Sequence, residues 1–118
     1  MAKVAVVILA GTDAASDLGR VVNGLEVAKE AQENEGDARV VFDGAGTQWV
    51  GKLSDAAHDY HDLFSSVRPS VQGACAYCSE AYGVKESVEA NDVELLGAFD
   101  GHPSIAGLID EGYQVLTF

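Results

Sequence analysis

Two cysteines three residues apart are the only thiols of the chain and the side chains best placed to do chemistry. They lie in Ser70-Val-Gln-Gly-Ala-Cys75-Ala-Tyr-Cys78-Ser-Glu-Ala-Tyr-Gly83, a short apolar strand running straight into a helix start. A sulfur at such a junction faces unpaired backbone N–H groups, which favour the nucleophilic thiolate. A lowered Cys75 pKa is therefore expected, by a modest amount, since Glu80 is near and no Lys or Arg is. Cys78, about one helical turn on, could resolve a disulfide or persulfide formed on Cys75. Free cysteine is also a common small core residue, so an inert buried pair stands beside the chemical reading.

Further ligands or bases are few. Cys-x-x-Cys is half of a tetrahedral zinc site, but there is no second cysteine pair and only His102 is expected at the same edge. No metal and no cofactor are expected. His102 precedes Pro103 at a strand-to-helix junction, as an acid/base neighbour of Cys75 or as a plain loop histidine. His58 and His61 have the spacing of a ligand pair, yet they fall on the polar side of a helix whose apolar stripe is Leu53, Ala57, Tyr60 and Phe64. Beside Asp55, Asp59 and Asp62 they read as a solvated face. The Gly11 loop lacks G-x-G-x-x-G and GK[ST], and its Asp13 and Asp17 would repel phosphate. Asp43 follows a strand as a ribose-binding acid would, but Asp43-Gly44 is more simply a turn. Nucleotide binding is disfavoured.

Alternating strands and helices must position these groups. Lys3–Ala10 is an apolar, β-branched run of the kind buried on both faces of a parallel sheet. Ser16 or Asp17 can cap a helix carrying Leu18, Val21, Val22, Leu25, Ala28 and Gln32, with Gly36 as its stop. Ala38–Phe42 is a second strand, and Leu53 to Val67 a second helix, ended at Arg68-Pro69. Trp49-Val50 falls in a connection of uncertain form. Ser70–Ala74 is a third strand, Cys75–Tyr82 a short helix, and Glu94–Phe99 a fourth strand. Pro103 fits the first turn of a last helix with Ile105, Leu108 and Ile109 inward and Gly112 at its end. Tyr113–Phe118 closes the sheet. The pattern predicts one domain over residues 1–118, a three-layer α/β/α Rossmann-like fold with a five-stranded, mostly parallel sheet. In such folds functional groups gather where strands end and helices begin. Gly11, Thr12, Asp43 and Gly44 should therefore line a pocket with Cys75, Cys78 and His102.

Composition narrows the partners. The chain has 118 residues, 47% of them hydrophobic, enough for a real core. Nineteen acidic against seven basic residues give a net charge of −12. With acids spread along the whole chain and lysine scarce, this suits a surface kept hydrated in concentrated salt. Nucleic acid and anionic membrane are not expected partners, since little could neutralise phosphates. No signal-like opening and no bilayer-length apolar run are present, so a cytoplasmic location is expected. There, close cysteines point to redox or sulfur chemistry before a structural disulfide.

Ala74-Cys75 followed by Gly83-Val84 has the spacing of the C-x7-G-[VI] segment of TusD-type subunits. With the opening strand into Gly11-Thr12 and the Asp43-Gly-Ala-Gly46 turn, the chain resembles the DsrE/DsrF-like sulfur-relay family over essentially its whole length. The resemblance implies a Rossmann-like fold and small homo- or hetero-oligomers, from dimer to hexamer and trimer-based among them. It also implies a cysteine that carries persulfide sulfur between donor and acceptor proteins. Cys75 takes the position of that cysteine; Cys78 is outside the TusD-type pattern. The acidic surface departs from the bacterial members and fits a salt-loving archaeal source. Two alternatives remain open: a non-catalytic oligomeric or ligand-binding module, and a thiol-disulfide redox protein, the latter without the W-C-G-P-C setting of thioredoxin.

Overall fold

A computed structural model describes every residue from Met1 to Phe118. Five strands form one sheet: β1 (Lys3–Ile8), β2 (Asp37–Phe42), β3 (Val71–Cys75), β4 (Leu95–Leu96) and β5 (Gln114–Thr117). Their order is β4-β3-β2-β1-β5, and every pairing is parallel, so the sheet is wholly rather than mostly so. Right-handed crossovers make this order decide the layers. The steps from β1 through β4 all run one way and lay α1 (Ala15–Glu33), α2 (Trp49–Ser54), α3 (His61–Val67), α4 (Ala76–Ala81) and α5 (Lys85–Ala90) along one side. The return to β5 runs the other way and leaves only α6 (Ile105–Asp110) for the opposite face.

The two faces differ accordingly. On the first, Val4, Val6, Ile8, Val40 and Phe42 pack against Val21, Leu25 and Ala28 of α1, Phe64 and Val67 of α3, and Val88 of α5. On the second, Ala5, Val7 and Val41 meet Leu108 and Tyr113, with Leu96, Ile105 and Val115 only partly covered. Alternation along β1 and β2 sends apolar side chains to both faces, as the continuous apolar runs require.

Several boundaries depart from the sequence reading for local reasons. Helix α1 starts after Ala14, which provides no side-chain cap; Ser16 and Asp17 lie inside the first turn. The predicted helix over 53–67 is two helices. Asp55 takes an extended ψ of 120°, and its carboxylate accepts the Ala57 N–H at 2.9 Å. His58 Nδ1 then accepts the Tyr60 N–H at 3.0 Å. Side chains thus take the donors that a continuous helix would use. His58 is consequently not on a solvated helical face: its ring meets Trp49 edge-on at 6.2 Å. His61 instead ties α3 to α2, its Nδ1 bonding the Leu53 carbonyl at 2.8 Å. Trp49-Val50 is the buried start of α2, with the indole N–H donating to the carbonyls of Ala10 (2.9 Å) and Gly11 (3.0 Å). The fourth strand is two residues rather than six. The last helix begins after a Ser104 cap, whose Oγ accepts the Gly107 N–H, so Pro103 precedes it and Ile109 faces solvent.

Tyr113 closes the second face next to β1 and β2. Its hydroxyl donates to Asp37 Oδ2 at 2.7 Å, and Lys3 Nζ lies 4.7 Å from the ring centroid. Burial, then the bond to Asp37, raises its pKa above the ordinary 10.0. A native pKa raised above the unfolded one means that the folded state holds the proton more tightly. Stability from this group is therefore complete below about pH 10 and is lost as pH rises beyond it. Tyr113→Phe should cost about 1 kcal/mol at neutral pH through the lost hydrogen bond. In urea titrations between about pH 9 and 11.5 the variant should lose less stability with rising pH than the parent; parallel losses would refute the assignment.

Candidate functional site

Three strand ends converge at the carboxyl edge of the sheet. β2 and β3 are neighbours, with Phe42 paired to Ala74, so the residues that follow them, Asp43 and Cys75, emerge side by side. β4 lies beyond β3, pairing Leu96 with Cys75, and the chain after it returns over the same edge. Phe99 and His102 then form an isolated antiparallel bridge through the bonds Phe99 N–H to His102 O (3.0 Å) and His102 N–H to Phe99 O (2.8 Å). The two residues between them, Asp100 and Gly101, have φ of +50° and +82°. That is a two-residue type I′ turn, for which Asp-Gly is among the favoured dipeptides. The Tyr77 N–H donates to the Gly101 carbonyl at 2.9 Å and anchors the turn over α4.

The result brings four side chains together. Cys75 Sγ lies 3.3 Å from His102 Nδ1 and accepts the Cys78 N–H, also at 3.3 Å. Its single proton has two acceptors in range, His102 Nδ1 and the more distant Gly101 carbonyl at 3.8 Å. Cys78 Sγ donates to Asp43 Oδ1 at 3.4 Å, and the same carboxylate caps the following 3-10 turn by accepting the Gly44 N–H at 2.8 Å. One ligand atom from each of Asp43, Cys75, Cys78 and His102 lies within 4.8 Å of all the others. Cys75 is fully buried, whereas Asp43, Cys78 and His102 are half-exposed. The Tyr77 ring covers His102 at 4.9 Å and is itself 61% exposed, forming the lip of the site.

The electrostatics reverse the expectation for Cys75. Burial pushes its thiol up to about 12, helped by the Cys78 thiol and by the negative charge of Asp43; only the Cys78 N–H pulls the other way. The Cys78 N–H at the start of the helix that follows does not offset burial beside a carboxylate. Cys75 at rest is a protonated thiol with a base at hand.

Other sequence candidates fall elsewhere. Gly44 has a φ of +53° and shapes the turn that holds Asp43. Gly11 packs against Ala45 and Gln48, bridged by the Trp49 indole. Thr12 opens into a separate cleft with Asp13, Leu18, Lys52 and His58, away from the thiols. The sequence reading counted three candidate metal donors at the edge and placed Asp43 in the same pocket only as a lining turn residue; the structure brings its carboxylate to the thiols as a fourth candidate donor. Its partnership with Cys78 depends on β2 lying next to β3, which periodicity does not encode. The position of His102 did leave a trace, the Asp100-Gly101 dipeptide between Phe99 and His102.

Comparison with known proteins agrees with this architecture. The sequence profile of the DsrE/DsrF-like family matches residues 3–118. A structure of the ychN protein from E. coli is 17% identical, covers 100% of both chains and superposes with a TM-score of 0.62. A conserved protein of unknown function from Bacteroides thetaiotaomicron, BT1422, is 15% identical over 97% of this chain and 94% of its own, with a TM-score of 0.62. These two likenesses are of fold. No curated protein matches the sequence. No helix is long and apolar enough to cross a membrane.

Proposed function

The chain belongs to the DsrE/DsrF-like family, whose members are of sulfur-relay type, and on that footing we propose that it is an intracellular carrier of sulfane sulfur that stores the atom on Cys75. The observation that carries this reading is the contact between Cys75 Sγ and His102 Nδ1, beside a second thiol that reaches solvent. A neutral thiol attacks sulfur poorly, so the Cys75 proton must leave first, and the imidazole nitrogen is positioned to take it.

Burial divides the work between the thiols. Cys78 meets a donor persulfide, R–S–SH; its proton passes to the Asp43 carboxylate that it faces, and the resulting thiolate attacks the outer sulfur. The donor S–S bond breaks, R–S⁻ leaves and takes up that proton from Asp43 as R–SH, and Cys78 becomes the persulfide. Cys75, its proton passed to His102, attacks that outer sulfur in turn. The Cys78–sulfur bond breaks and the Cys78 thiolate takes the proton back from the imidazolium. One sulfane sulfur moves, R–SSH becomes R–SH, and no outside electrons are needed. Release to an acceptor thiol is the same sequence reversed.

Incubation of reduced protein with a persulfide donor, followed by removal of the donor, should leave a mass increase of about 32 Da, one sulfur atom, on Cys75. Fragmentation of the 75–78 peptide locates it. Cys78→Ser should slow loading, because the fully buried Cys75 would then have to meet the donor directly. Cys75→Ser should retain none; a variant that keeps as much sulfur as the parent overturns the proposal. The full burial of Cys75 favours a second reading, a non-catalytic module with structural thiols. That reading predicts no retained sulfur in the parent.

Self-association belongs to the same proposal. It is supported by the second sheet face, which a six-residue helix covers alone, and by exposed Leu9, Phe99, Ile109 and Leu116. Sedimentation velocity in high salt should show a species larger than 12.3 kDa, and a monomer across micromolar concentrations would refute it.

A further inference from the structure

We infer that Asp43, Cys75, Cys78 and His102 form a binding site for one zinc ion, a property that the sulfur reading neither requires nor supplies. Four donors of three chemical types come from three separate strand ends, and their ligand atoms all lie within 4.8 Å of one another. In a tetrahedral zinc site with bonds of about 2.0–2.3 Å, neighbouring donors are roughly 3.3–3.8 Å apart. The pairs Cys75–His102 at 3.3 Å and Cys78–Asp43 at 3.4 Å already have that spacing. The remaining pairs close by side-chain rotation of about 1 Å or less, since the widest separation is 4.8 Å.

The donor set selects the ion. Two thiolates, an imidazole and a carboxylate suit a borderline-soft dication. Calcium and magnesium would demand six or more oxygen ligands and find one carboxylate. The surroundings suit a bound cation as well. Neither ion pair of the chain involves these residues, so no Lys or Arg occupies the place of the ion. With both thiols and the carboxylate ionised, a dication leaves one net negative charge. The Cys78 N–H that points at Cys75 Sγ remains as an outer hydrogen bond to a metal-bound thiolate, and the Gly44 N–H holds Asp43 in the same way. Half-exposure of three of the four residues gives the ion an entry path.

Metal and sulfur would compete for Cys75, because a coordinated thiolate has given electron density to the metal and is a weaker nucleophile than a free one. Zinc would thereby hold the pair reduced and silent, and its removal would expose the relay.

The test uses the full chain, reduced and stripped with a chelator, then titrated with Co2+ and Zn2+. Cobalt should bind one to one, with thiolate-to-metal charge-transfer absorption in the near ultraviolet and the intense visible bands of a tetrahedral site. One equivalent of zinc should abolish both. Asp43→Asn and His102→Gln should each weaken zinc by at least the ~10-fold typical of losing even an outer-shell partner. Cys75→Ser/Cys78→Ser should remove the charge-transfer band. The inference is overturned if the parent binds zinc no better than the double variant, or if the cobalt spectrum is weak and octahedral. It is equally overturned if Asp43→Asn and His102→Gln leave zinc affinity at the parent value. Circular dichroism of each variant separates lost ligands from lost fold, and Asp43→Asn, at a half-exposed position, keeps the test available if a cysteine variant misfolds. Sulfur loading of the metal-free parent is measured in parallel. Loading without zinc binding overturns only the metal site; zinc binding without loading overturns only the carrier reading.

Discussion

His102→Ala should slow sulfur loading of Cys75 by about 100-fold or more, the usual contribution of a positioned proton acceptor. The magnitude follows from what remains after the ring is gone. Cys75 would keep one acceptor, the Gly101 carbonyl at 3.8 Å, which can receive a hydrogen bond but cannot carry the proton away. Its thiol, already pushed up to about 12 chiefly by burial, would then have no route to the thiolate at neutral pH. The ring is half-exposed and its backbone bonds to Phe99 are independent of the side chain, so the unfolding midpoint should stay close to that of the parent. His102→Gln separates chemistry from shape: a polar side chain returns, but no nitrogen able to accept a proton. It should be as slow as alanine, with chelator present to keep zinc out of the assay. A glutamine variant that loads at the parent rate would remove His102 from the reaction.

Gly46→Ala should produce the largest loss of stability of any single methyl addition in the chain. A Cβ at residue 46 would stand 2.0 Å from the Ile8 carbonyl oxygen and 2.7 Å from its carbon. Both atoms belong to β1, an interior strand paired on both sides, where Asp43 N–H also bonds the Ile8 carbonyl at 2.9 Å, so neither partner can step aside. Overpacking of a flexible side chain costs about 1–3 kcal/mol. A clash between backbones should exceed that, reaching about 4 kcal/mol, a large part of the roughly 5–15 kcal/mol that holds a domain of this size. The displaced turn would also carry Asp43 away from Cys78. Gly19→Ala is the matching control: it lies inside α1 with nothing within 4 Å, so removing a helical glycine should stabilise by about 0.5–1 kcal/mol. Chemical denaturation reads both. Equal, small effects would mean that the turn after β2 is not held against β1.

What the chain discloses in advance follows the range of each interaction. β1, α1, β2 and β3 announce themselves because their apolar spacing is local and matches one period. The break between α2 and α3 does not, because Leu53, Ala57, Tyr60 and Phe64 keep helical spacing while Asp55 and His58 capture backbone donors. Cys75 at a strand–helix junction was legible, but the sign of its pKa change was not. That sign depends on burial and on Asp43, 32 positions away, and such neighbours are fixed by strand order alone. That Asp43 faces Cys78, rather than merely lining the same pocket, was hidden for the same reason. His102 lay between: Asp100-Gly101 names the turn, while only the pairing of β3 with β4 says which sulfur the turn reaches.

The Asp100-Gly101 turn and the β2–β3 pairing also determine when the site can exist. Its donors are separated by up to 59 positions, from Asp43 to His102, and no two neighbouring elements contain them all. Closing those loops is repaid only after β2, β3 and β4 have docked in their final order. A chain collapsed with the wrong strand order would keep both thiols close, since they share one short segment, but would have neither imidazole nor carboxylate beside them. On the proposed readings, capture of sulfur or metal at full stoichiometry would therefore count correctly assembled molecules, a folding assay built into four side chains.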